Sequence, residues 1–258
     1  EPPDVEDFLA GLAACGFVQA IDGRAVTDIA DMPTARTRKR GWQVLADLPA
    51  ERVRWLISRP MLLCYLTIWL TVPTLFLLRP EVRPALSDAV IFPRMTANII
   101  VLAVLGWGLL SLHELAHVVV ARAHGCDSSL SIGHRLYFLV AQTDLTTVRA
   151  LPHHRRYGPY LAGVTWDMTV VLACSLLRLA GIQSSLVAAL AYLALMGVMF
   201  QCAFFLRTDG YLVLVNWLRL GNLMEDSRHW LVNLGHRILG RPGPYDLSQI
   251  PVRELRII

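Results

Sequence analysis

The chain has 258 residues, of which 55% are hydrophobic and only 17% charged, with a formal net charge of +4. Soluble domains usually carry about a quarter charged residues, so this balance argues against that class and toward a membrane protein. Nearly all the positive charge is arginine, Lys39 being the only lysine, and no basic tract interleaved with aromatics supports a nucleic-acid surface.

The first segment, residues 1–60, holds an apolar-periodic stretch from Val5 to Phe17 and then a turn signal at Asp22-Gly23. That order predicts a helix followed by a short hairpin. The first long apolar run comes only after about sixty residues, so no signal peptide is expected. Cysteines at 15, 64, 126, 174 and 202 show no CxxC spacing. Their odd number, and the placement of Cys64, Cys174 and Cys202 in apolar runs, argue against a disulfide framework.

Four apolar runs then approach the ~20 residues needed to cross a bilayer core. They are Met61 to Leu78, interrupted by Pro73; Met95 to Ala121; Tyr157 to Ala180; and Ser184 to Leu206. The expected architecture is therefore an all-α polytopic membrane protein with about four transmembrane helices. Arginines cluster before the first run, between the second and third, and after the fourth, and the positive-inside rule puts those regions in the cytoplasm. Arg79, Arg83 and Arg94, in the loop left outside, run against the rule. Between the second and third runs, Leu130 to Val140 has partial strand character. After the fourth, Tyr211 to Leu239 mixes Trp217, Leu218, Leu220 and Trp230 with arginines and predicts an interfacial or cytoplasmic amphipathic helix.

Chemistry concentrates in the second run, at His113-Glu114-Leu115-Ala116-His117. Residues four apart share a helix face, so His113 and His117 can grip one metal ion while Glu114 reaches a water on it as general base. Ionisable side chains are costly in lipid and mark functional interiors there. A catalytic zinc takes three protein ligands and keeps one position open. The third candidate is Asp209, in Leu206-Arg207-Thr208-Asp209-Gly210-Tyr211, expected at the inner end of the fourth run and so at a depth matching the histidines. As an alternative, Asp209 caps a helix, with Gly210 in a turn. Asp167 is the other polar residue set in an apolar run; it either faces the site, contacting substrate backbone or an oxyanion, or pairs with an arginine. His124, seven residues after His117, could share its face but is expected in the interfacial zone; His153 and His154 stand in a basic loop, His134, His229 and His236 have no partner spacing, and none of the six is expected to be a ligand.

These residues resemble the site-2 protease family of intramembrane zinc metalloproteases. The likeness rests on His113-Glu114-xx-His117 in a membrane helix, a later Asp209-Gly210, and Ala162-Gly163 opening the intervening helix. Leu206-Arg207-Thr208-Asp209-Gly210-Tyr211 looks most like the bacterial branch of peptide zinc metalloproteases. The chain departs from the pattern at Val164, where the family often has proline, at Asp167, where it has asparagine, and at Thr208, where it usually has leucine. No PDZ-like insertion is visible. The resemblance implies a Zn2+ enzyme cutting a peptide or membrane-protein precursor near the cytoplasmic face of a bacterial cell membrane. Its layout would be a cytoplasmic N-terminal segment (1–60, faintly similar to a peptide-binding winged helix), a transmembrane core (61–206) and a cytoplasmic or interfacial segment (207–258) opening on the Asp-Gly motif. Two alternatives compete with it. One is a catalytically inactive relative that binds or helps export a peptide. The other is a di-iron hydroxylase, disfavoured because the eight histidines are too dispersed. Substrate identity and oligomeric state are not encoded in any motif.

Overall fold

The computed structural model describes residues 20–21, 24–25, 45, 48–135, 138–221, 223–238 and 240–245. It divides into two compact units, Glu1–Gly41 and Trp42–Ile258. In the first, β1 (Ala20–Ile21) pairs antiparallel with β2 (Arg24–Ala25) on either side of Asp22-Gly23, which is the expected hairpin. The expected helix from Val5 to Phe17 lies outside the described residues.

The second unit is mostly helical. Three helices are long and apolar enough to cross a membrane: α1 (Arg59–Leu78), α2 (Met95–Ala123) and α3 (His153–Leu179). At 20 residues α1 reaches about 30 Å, the thickness of a bilayer core. The fourth helix, α4 (Ser185–Phe200), has 16 residues and reaches only about 24 Å. The apolar run expected to continue to Leu206 is broken, because the chain leaves α4 after Phe200 and turns through a 3-10 segment at Phe204–Leu206. It re-enters a helix, α5 (Asp209–Leu218), followed by α6 (Leu223–Ile238). Thr208-Asp209-Gly210 thus starts a helix where the inner end of the fourth span was expected. Thr208 stands in extended backbone at the N-cap, and Asp209 puts negative charge in the first turn, where the helix dipole favours it.

Helix α3 is the centre of the unit. Of its apolar window 56% is buried inside the protein, against 6% for α1 and 11% for α2. Val72 of α1, Leu109 of α2, Met168 and Val171 of α3 and Ala194 of α4 form one core. Trp69 Nε1 donates to Thr165 Oγ1 (3.1 Å), tying α1 to α3. Outward, Leu62, Leu63, Leu66, Leu70, Leu77 and Leu78 on α1 are all exposed, as are Ile99, Ile100 and Val104 on α2. Apolar belts of this extent are suited to lipid rather than water. Four hydroxyls within the spans turn back onto their own helix: Thr67 to Leu63 O, Thr74 to Leu70 O, Ser111 to Trp107 O and Thr169 to Thr165 O. Each is thereby satisfied without water.

The loop carrying Arg79, Arg83 and Arg94 is tightly built. Arg79 pairs with Glu81, and Arg83 donates to Phe76 O at the end of α1. Asn98 receives the amides of Ile91 and Phe92 on Oδ1 and donates to Ala89 O. Arg178 near the end of α3 pairs with Asp88 (3.1 Å), so the end of α3 and the start of α2 share one side of the unit. At the other side, β3 (Ser129–Arg135) and β4 (Phe138–Asp144) form an antiparallel hairpin with Ser129 opposite Asp144, an element an all-α expectation omitted. The strand character between Leu130 and Val140 is its sequence counterpart.

Candidate metal centre

His113 and His117 lie on one face of α2, a turn apart and almost fully buried. His113 is about 27 Å along the helix axis from Met95, which sets the pair toward the hairpin side of a bilayer-length span. Asp209, in the first turn of α5, reaches the same point. Its Oδ2 is 2.9 Å from His113 Nε2 and 3.0 Å from His117 Nε2, and the two Nε2 atoms are 3.2 Å apart. Among the described residues these three form the group able to hold a metal ion. No other histidine among the described residues joins it.

The far side of each imidazole decides what the near side can do. His117 Nδ1 lies 2.7 Å from the Pro159 carbonyl, which only accepts, so the proton of a neutral ring sits on Nδ1. His113 Nδ1 likewise meets Asp167 Oδ2 at 2.8 Å. Both neutral rings then turn an Nε2 lone pair toward a carboxylate oxygen. Three acceptor atoms at this spacing repel unless a cation or extra protons lie between them. Ligands about 2.0–2.1 Å from a tetrahedral zinc sit about 3.3 Å from one another, close to the separations here.

Of the two placements expected for Asp167, facing the site or pairing with an arginine, the structure has the first: it is buried in α3 with its polar contact to His113 Nδ1. A carboxylate behind a metal-binding histidine fixes ring orientation and tautomer. Gly197 of α4 gives it room, since a Cβ there would come within 3.1 Å of Asp167 Oδ2.

Gly163 shows how tightly α3 approaches the site. A Cβ at 163 would lie 2.3 Å from His113 Nε2 and 2.5 Å from His117 Nε2, inside the space between the rings. Pro159, one turn earlier on the same helix, is the residue whose carbonyl holds His117. Neither role follows from hydrophobic periodicity. The available signal was a small residue one turn from an in-helix proline on a span that must pass a histidine pair.

Glu114 points to the hairpin. Its Oε2 accepts from the Thr143 backbone N–H of β4 (2.7 Å), and its carbonyl accepts from Thr143 Oγ1 (3.0 Å). No sequence motif marked Thr143. Helix α5 is seated by Leu212 and Val213 against a core of Ala121, Cys126, Val148 and Tyr160. Asn216, on α5, donates from Nδ2 to the His153 carbonyl (3.0 Å). His153, expected in a loop, instead opens α3.

Comparison of the chain with protein-family models, with curated proteins and with solved structures yields no significant match. The functional reading therefore rests on the residues of the site.

Proposed function

We propose that the protein is a membrane-embedded zinc metalloendopeptidase of the site-2 protease type, hydrolysing a peptide bond of a membrane-associated protein or peptide precursor. The observation that carries the reading is the convergence of His113 Nε2, His117 Nε2 and Asp209 Oδ2 beside Glu114 in an apolar helix. These three residues would hold the metal, and their mixed nitrogen and oxygen donor set suits zinc. When bound, the metal supplies Lewis acidity toward a carbonyl and acidifies a water.

The chain's own residues do the rest. Asp167 holds the proton on His113 Nδ1 and keeps that ring turned to the metal, and the Pro159 carbonyl does the same for His117. Glu114 is anchored through Oε2 by the Thr143 amide, which leaves Oε1 to take a proton from the attacking water and pass it to the leaving amine. The buried setting of α3 restricts solvent around the rings, strengthening these interactions. Arginine-rich segments before α1, between α2 and α3 and after α4 support a cytoplasmic position for the site in a bacterial cell membrane.

The grip of the Thr143 amide on Glu114 favours a second reading, a protease-like membrane protein that binds or helps export a peptide without cutting it. Glu114→Gln separates the two. In the protease reading this variant retains metal, stops processing by at least about 100-fold, and accumulates an uncut precursor detectable by comparative peptide mass spectrometry. In the binding reading the peptide profile is unchanged.

A further inference from the structure

Asp209 is the one member of the metal group that does not stand on a spanning helix, so something must fix where α5 begins. The chain between α4 and α5 is irregular, with Arg207 in the left-handed region at φ 53°. The N-cap residue Thr208 makes no side-chain bond to the first turn of its own helix. Its hydroxyl donates instead to the Gln201 carbonyl (2.8 Å), and the Gln201 side chain takes over the capping, its Oε1 accepting from the Asp209 backbone N–H (3.1 Å). Gly210 completes the closure, because a Cβ there would lie 2.2 Å from the Gln201 carbonyl oxygen. Main chain and side chain of one glutamine thus hold three consecutive residues, Thr208 to Gly210.

We infer that Gln201 is a positioning residue for the metal centre, capping α5 from a distance so that the Asp209 carboxylate meets the two imidazoles. The inference rests on the metal reading above and adds the device that delivers the third ligand. An orphan N–H at a helix start needs an acceptor, and without one the first turn frays. Fraying of α5 moves Asp209 first, since it is the first residue of that helix, while His113 and His117 stay fixed by α2 and α3. Loss of Gln201 should therefore reduce metal affinity while leaving the spans intact.

The test measures affinity for Co2+ and Zn2+ by chelator competition on the full chain in detergent, with the Co2+ absorption spectrum as a readout of coordination. Gln201→Leu removes the acceptor at similar size, Gln201→Asn shortens it by one methylene, and Gln201→Glu preserves it. We expect affinity to fall at least about 10-fold in the first two, within the range for residues that support metal ligands. Their Co2+ bands should change, and the melting temperature of the metal-free protein should not. Gln201→Glu should stay within about threefold of the unaltered protein. Wild-type affinity in Gln201→Leu or Gln201→Asn, or an equal loss in Gln201→Glu, overturns the inference and leaves the metal reading standing. Failure of the unaltered protein to bind either metal overturns the metal reading and this inference with it.

Discussion

A single methyl group at position 163 should disable the centre. The Cβ of Gly163→Ala would lie within 2.5 Å of both Nε2 atoms, and backbone on one side and buried rings on the other leave little room to yield. The expected result is loss of metal binding in a protein whose helix content by circular dichroism is retained. Asp167→Asn should be milder. An amide still contacts His113 Nδ1 but no longer compels its proton, so metal affinity should drop about 10- to 100-fold by chelator competition. Residues of this kind divide by how they show in sequence. His113, Glu114 and His117 are legible because the chemistry imposes a local i, i+4 spacing. Asp209 is legible as a type of residue, though not as the start of a new helix. Gly163 and Thr143 act through close approach and a backbone amide across 29 or more positions of chain, and Gln201 through caps seven and eight positions on, where periodicity carries no information.

At the scale of elements, the break after Phe200 is what brings Asp209 to the histidines. A helix continued to Leu206 would have satisfied the hydropathy pattern just as well, which is why the pattern alone gave a longer fourth span. The cue was Thr-Asp-Gly, a start signal embedded near the end of an apolar run. Helix α5 then rests on the small core around Cys126. Burial pushes the Cys126 thiol up from its ordinary range, which lowers its thiolate fraction and its reactivity. Cys126 should resist maleimide in the folded protein and react once α5 is undocked. Asn216→Leu, which removes the bond to the His153 carbonyl, should raise its labelling rate several-fold by mass spectrometry while Cys202, which is exposed, is unaffected. The hairpin β3–β4 was visible only as partial strand character, because two strands with neighbouring spans on one side need not alternate cleanly.

For the whole molecule, the apolar belts on α1 and α2 and the burial of α3 arrange a central helix shielded by others. The apolar composition has its counterpart in three helices long and apolar enough to cross a membrane, because lipid would demand apolar side chains at every outward position. The placement of arginines on one side was less clear, since Arg79 and Arg83 stand on the other. The structure supplies their local partners in Glu81 and the Phe76 carbonyl, and Arg178 is likewise matched by Asp88. Two arginines of the loop between α1 and α2 thus have partners within the loop and at the end of α1. The proposed topology expects a cysteine introduced at Ser87 to be labelled from outside intact cells by an impermeant reagent, and one at Arg149 only after lysis.

The most direct measurement is the metal content of the purified full chain by inductively coupled plasma mass spectrometry. The account predicts about one zinc per chain in the unaltered protein and in Glu114→Gln, where the donor set is untouched, and loss of it in His113→Ala and Asp209→Ala. No stoichiometric metal in the unaltered protein, or undiminished metal in both ligand variants, would contradict it.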